Sequence, residues 1–369
     1  MNENKIKGRS TMLKQLGIFF YVILISVFNI SCGEDGGDED DPAITPETGI
    51  FLDAPVGGIN YQTLTQSGVT DAQGNYLYLP GETVTFSIGD IVFPSAIAAP
   101  VVTPLDMIGA TDITDVSVIN IIRLLQSLDV DGDPTNGIEI SPTAHTEAMG
   151  LAITFDSLTF DADVANLVAN SGSVITALID GNIAIDNFKQ SLSTQTIDWE
   201  SYYNFANNRQ WNYIVTQGDP LSGSLYEYTI NGTANGEDVY IHGWNLAWSD
   251  HLDFYLQDIS NGLLFTGFQD GGVDSFFVSP IILACNNLYE SCTVSGSIGG
   301  MSYSFSFINE LDTVTVPAGS FNDCIKTTQT DNIGSQNRVM WHCKDTGQVK
   351  HEKVGDFIYE LVSITVYNP

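Results

Sequence analysis

The sequence predicts a mainly β protein with a small helical part. Three observations lead there. From Gly49 onward, short apolar–polar alternations are cut by glycine, proline and Asn/Asp turns; in "TVTFSI" the residues Val84, Phe86 and Ile88 alternate with Thr and Ser. The period becomes helical in "DITDVSVINIIRLLQSLD", and from Ile197 to the end, roughly 170 residues, no helical period returns. With 43% hydrophobic and only 15% charged residues, the body is a packed globule rather than a disordered polyanion.

Residues 1–31 read as a targeting segment. Lys5, Lys7, Arg9 and Lys14 precede an apolar run, Leu16 to Ile30, whose 15 residues fall short of the ~20 of a spanning helix. The run ends in "NISC", with Asn29, Ile30 and small Ser31 before Cys32. This ending resembles the lipobox of bacterial lipoproteins. The resemblance implies a cleaved signal peptide, lipidation at Cys32 and attachment to a membrane through that N-terminal lipid. The stretch "GEDGGDEDDP" that follows has no side chain able to pack, so 32–47 is expected to be a self-repelling tether. It resembles the acidic stretch behind the lipidated cysteine of surface-exposed lipoproteins, which implies the outer membrane and its cell-surface side; a periplasm-facing location is the alternative.

Residues 48–195 come next. "GIFLDAPVGGINYQT" supplies two short strands, and "GVTDAQGNYLYLPGETVTFSIGDIVF" turns at Asp71–Gly74 and Pro80-Gly81. Its phrase G-x-T-D-x-x-G-x-Y-x-Y resembles transthyretin-like β-sandwich modules. Val118, Ile121, Ile122, Leu125 and Leu128 then form one helical stripe, started by Thr114 or Asp115 as cap. "DADVANLVA" and "NIAIDNFKQSLST" predict two more helices, the second with Ile185, Phe188 and Leu192 on one face. Taken together, "F-x-D-x-x-V-x-G-x-x-Y", "TPLD" and "R-L-L-Q-S-L-D-x-D-G-D-P-x-N-G-I" resemble a module of bacterial lipoproteins and large surface adhesins.

Residues 197–369 predict an antiparallel β-domain. "VPAGSF" and the late W-x-x-x-x-x-G-x-V-K (Trp341 to Lys350) resemble exported β-domains with curved sheets, akin to the half-barrels of lipoprotein carriers. The resemblance covers the ends of this domain and leaves 215–310 outside it. Apart from Cys32 the chain has four cysteines, an even count suited to an oxidising compartment. Of the three pairings open to them, the strands flanking "DNIGSQN" set Cys324 opposite Cys343, which leaves Cys285 to Cys292.

One loop carries the strongest chemical signal. "SLDVDGDPTNGIEI" places Asp129, Asp131 and Asp133 at alternate positions, and like charges so close need a reason. Calcium takes six to eight oxygens, which alternate aspartates on a tight loop deliver to one point. Against the EF-hand pattern the three aspartates match positions 1, 3 and 5, and the Thr135 carbonyl position 7. Pro134 stands where the glycine belongs and Ile140 where the bidentate Glu belongs, so closure falls to Asn136, Glu139 or the distant Asp106. The competing reading is an acidic turn closed by its own Asx bonds.

With 45 acidic against 12 basic residues, binding of nucleic acid and other polyanions is not expected. Motifs for a serine hydrolase, a P-loop or a zinc protease are missing, and the histidines at 145, 242, 251, 342 and 351 are scattered. Tyr240, Trp244 and Trp248 lie in the densest aromatic stretch and are a candidate ligand platform, set against the blander role of filling a core. The expected function is therefore that of an exported calcium-binding lipoprotein, a non-enzymatic surface adhesion module for carbohydrate or matrix. A carrier of an apolar small molecule in the β-domain is the alternative, and a hydrolase the third.

Overall fold

The computed structural model describes residues 45–366 apart from 205–207, 219–224, 235, 246–250, 260–261, 271–272, 299–300 and 332–336. Cys32, the signal segment and most of the tether lie outside the described residues, as does Trp248.

Nine short strands come first: β1 (Glu47–Phe51), β2 (Val56–Gly57), β3 (Asn60–Gln62), β4 (Ser67–Val69), β5 (Asn75–Tyr78), β6 (Thr83–Ile88), β7 (Ile91–Val92), β8 (Ala96–Ile97) and β9 (Val101–Val102). All but β2 form one sheet ordered β5-β1-β9 and another ordered β4-β3-β6-β7, with β8 added to β6. The alternation in β6 does what the sequence requires, since Val84, Phe86 and Ile88 are all fully buried. Phe51 of the first sheet stacks on Phe86 of the second at 4.3 Å, with Tyr76 edge-on at 5.4 Å, and so joins the sheets as a small sandwich.

Six helices follow: α1 (Pro104–Ile108), α2 (Val116–Leu128), α3 (Pro142–Glu147), α4 (Phe160–Asn170), α5 (Gly181–Leu192) and α6 (Trp199–Tyr203), with a two-residue strand, β10 (Ile138–Glu139), between α2 and α3. Asp115 starts α2, its Oδ1 accepting from the Ser117 and Val118 amides at 2.8 and 3.4 Å. The predicted stripe is present but too narrow. Ile121, Leu124, Leu125 and Leu128 join the sandwich core, while Val118 and Ile122 pack with Ala184, Phe188 and Leu192 of α5. Buried on two sides, α2 holds polar residues only where they have partners: Asn120 donates to the Phe155 carbonyl at 2.8 Å, and Ser127 accepts from the Ile179 amide at 3.0 Å.

The remaining strands are β11 (Arg209–Gln217), β12 (Leu225–Ala234), β13 (Glu237–Asn245), β14 (His251–Ile259), β15 (Gly262–Asp270), β16 (Val273–Ala284), β17 (Ser291–Ile298), β18 (Met301–Val316), β19 (Gly319–Asp331), β20 (Arg338–Cys343), β21 (Gly347–Lys353) and β22 (Phe357–Val366). They make one antiparallel twelve-stranded sheet, β16 to β11 followed by β22 to β17. Sequence neighbours pair except β16 and β17, which form the two outer edges, and β11 against β22 welds the two halves. The sheet curves without closing into a barrel. Its curvature is visible in one cluster: Trp199 of α6 packs with Leu256 and Phe265 of the neighbouring strands β14 and β15 and with Ile325 of β19, far from them in the sheet order. Here the expectation of a β-only segment after Ile197 is corrected, because α6 lies inside it. Trp199 supplies the reason, as its indole is 1% exposed and fills the hollow that the curved sheet would leave open.

Candidate functional site

The acidic loop begins where α2 stops. Asp129 ends the helix in extended conformation and pairs with Ile140 as an isolated bridge, so the two ends of the loop are pinned together. Ile138 and Glu139 add in parallel to Val56 and Gly57, which fixes the loop to the sandwich. Within this frame the carboxylates are spent unequally. Asp133 Oδ1 accepts from the Thr135 hydroxyl at 2.6 Å and amide at 3.1 Å. Asp131 accepts from the Asp133 amide at 3.0 Å and from Asn136 Nδ2 at 3.0 Å, bonds that hold its carboxyl below the usual range. The Glu139 side chain is exposed, and its amide donates to Asp129 Oδ1 at 2.9 Å.

Asp129 is the exception. It is 1% exposed, and its Oδ2 has no hydrogen-bond partner among the described residues. Burial pushes its carboxyl up to about 6; the Glu139 amide opposes this, and the nearby Asp131 carboxylate adds to it. Asp129 and Asp131 thus face each other, while Asp133 is turned to Thr135. Asp106 does not join them through Oδ2, which accepts from the Thr103 amide and hydroxyl, both at 2.7 Å, to close a capping box on α1. Among the described residues, no three His, Cys, Asp or Glu side chains gather in metal-binding range.

Beside the loop lies a cleft lined by Pro134, Thr135, Asn187, Gln190, Ser191 and Thr194. Asn187 connects it to the interior, donating to Gln126 Oε1 at 2.9 Å, while Gln126 Nε2 donates to Asp53 Oδ1 at 2.9 Å. Asp53 is fully buried, its Oδ2 has no partner among the described residues, and burial raises its carboxyl well above the ordinary value.

A second polar centre lies within the large sheet. Glu227 of β12, 1% exposed, receives Tyr213 Oη at 3.0 Å on one oxygen, and Gln348 Nε2 at 3.0 Å and Tyr359 Oη at 3.1 Å on the other. Tyr359 Oη also lies 2.9 Å from His351 Nδ1. A hydroxyl has one proton, so when Tyr359 donates to Glu227, His351 must carry its proton on Nδ1. Burial, then the charge of Glu227, keeps Tyr213 and Tyr359 neutral, and burial with Arg338 and His342 nearby lowers His351 to about 3. The bonds of this network run between side chains of four strands, β11, β12, β21 and β22.

No family model, curated protein or solved structure matches the chain.

The other expected site residues are placed as follows. Cys324 and Cys343 are register partners across β19 and β20, and both they and Cys285 with Cys292 stand as disulfide pairs, separated by 19 and 7 residues. Tyr240 is half-buried on β13, packs against the Trp199 cluster and donates to Glu200 at 3.5 Å. Trp244 lies on the same strand, opposite Glu227 and Leu252 in register. His342 and His351 fall on the neighbouring strands β20 and β21, each 2% exposed. Reading the sequence missed Glu227 and Asp53. Their only signal was a carboxylate inside an apolar phrase, "SLYEYTI" and "IFLDAPV".

Proposed function

We propose that this chain is an exported, lipid-anchored surface protein that acts by binding rather than catalysis, with one calcium ion ordering its 129–139 loop. The observation that carries the reading is Asp129. An ionised carboxylate oxygen buried without a partner costs several kcal/mol, and a second carboxylate facing it adds to that cost. A hard divalent cation between Asp129 and Asp131 removes both penalties, with the Thr135 carbonyl, Asn136 and Glu139 at hand for further oxygens. Asp133 joins by exchanging its bond to Thr135 for the ion. The strongly acidic surface favours cations over polyanions. The face of the sheet that holds Trp199 and the Glu227 network is filled with side chains, which favours recognition on the outside of the molecule over carriage within it.

Calcium titration of the full chain tests this. An ion bound only by the folded state raises stability by RT ln(1 + [L]/Kd), about 2.7 kcal/mol at a hundredfold excess over Kd. Asp131→Ala should abolish that gain without unfolding the protein, since Asp131 is exposed. Superimposable melting curves with calcium and with chelator reject the calcium reading.

A further inference from the structure

We infer that the loop closed by Cys285 and Cys292 is a thiol-sensitive clasp joining the helical part of the chain to the large sheet. The disulfide lies at a telling place. Cys285 directly follows β16 and Cys292 lies on β17, the two outermost strands of the open sheet, so the bond ties together edges that no strand pairing joins among the described residues.

The residues inside the loop do the joining. The Asn286 carbonyl accepts from the Ile197 amide at 2.7 Å, and Asn287 Nδ2 donates to the Ser193 carbonyl at 2.7 Å. These two bonds hold the connection that follows α5. Leu288 enters the Trp199 cluster, and Tyr289 packs against both that cluster and the one formed by α1, α2 and α5. The Lys189 ammonium of α5 lies 5.6 Å from the Tyr289 ring centroid. The backbone at Tyr289 is left-handed, φ 58°, a conformation costly for a tyrosine and kept only where the surroundings enforce it. Asn309 of β18 supplies part of that enforcement, donating from Nδ2 to the carbonyls of Cys285 and Asn287 at 2.6 and 3.2 Å and accepting the Tyr289 amide at 2.7 Å.

The two disulfides differ in access. Cys324 and Cys343 are 0% and 2% exposed, whereas Cys292 is only partly buried, with Cys285 8% exposed behind it. An external dithiol therefore reaches Cys292 first. Its thiolate attacks Sγ of Cys292 and releases Cys285 as the leaving thiolate. The second thiol of the reagent then resolves the mixed disulfide, so two electrons and two protons pass to the cysteine pair and the dithiol becomes a disulfide. Once open, the loop loses its closure and the bonds to Ser193 and Ile197 lose their fixed anchor.

The experiment treats the full oxidised chain with limiting dithiothreitol, traps thiols with N-ethylmaleimide and maps them by mass spectrometry, with proteinase K digestion in parallel. The expected result is labelling of Cys285 and Cys292 at least ~10-fold faster than of Cys324 and Cys343, together with at least ~5-fold faster cleavage within 193–198. The double variant C285A/C292A should show that cleavage rate without reductant. Labelling of Cys324 and Cys343 first, or cleavage unchanged once Cys285 and Cys292 are labelled, overturns the proposal. So does a folded double variant as resistant as the oxidised chain. Should the variant fail to fold, the reductant experiment on the native chain decides alone.

Discussion

His351 allows a pH effect to be worked out before it is measured. The ring is 2% exposed and takes up a proton only near pH 3, whereas in the unfolded chain it does so near 6.5. Between those values the unfolded state binds a proton that the folded state refuses. Stability contributed by the neutral ring is therefore complete above about pH 6.5 and is lost as pH falls toward 3. Each unit corresponds to about 1.4 kcal/mol once the unfolded ring is fully charged, so a fall from about pH 6.5, where it is half charged, to about 4.5 should cost roughly 2 kcal/mol from this residue alone. His351→Gln removes the titration and keeps an amide to bond Tyr359 Oη. Urea unfolding followed by tryptophan fluorescence across this range should show the wild type losing about 2 kcal/mol more than the variant. Asp53, Asp129 and the other carboxylates are the same in both proteins and cancel in the difference. Parallel stability profiles would refute a buried neutral imidazole at this position and the proton assignment built on it.

Three further outcomes are expected. Cys32→Ser should abolish lipid labelling and release the protein in soluble form, and a variant that stays membrane-bound and uncleaved rejects lipidation at that residue. Trp199→Ala, which empties the hollow between β14, β15 and β19, should cost about 3–5 kcal/mol in denaturant unfolding; a loss below about 1 kcal/mol would mean that the sheet does not depend on α6 for its core. Gly58→Ala should cost more than about 2 kcal/mol, because φ is +76° and the new Cβ would lie 2.4 Å from the Ile140 carbonyl oxygen. A melting temperature unchanged by that substitution would show that the sandwich and the acidic loop are not packed so closely there.

Much of this architecture was legible in the sequence because it rests on local regularities. The alternation in β6 reads as a half-buried strand, the stripe in α2 reads as a helix, and the spacing of Cys324 and Cys343 about a turn places them across one hairpin. Each depends on residues a few positions apart, where backbone geometry leaves two periods to choose from. The acidic loop was found for the same reason, since its three aspartates are neighbours in the chain. Tertiary structure decided what those carboxylates meet. Asp129 is sealed because α2 ends against a bridge to Ile140, while Asp133, four residues later, remains exposed and bonds to Thr135. Glu227 is the clearest case. In "SLYEYTI" it reads as the outward residue of an alternating strand, yet it is buried among side chains up to 132 residues away. That burial follows from the pairing of β11 with β22, which brings the two ends of the β-domain side by side, and from curvature that turns one face of the sheet inward. Neither pairing nor curvature has a local sequence signature, because both are set by the summed twist and contacts of many strands.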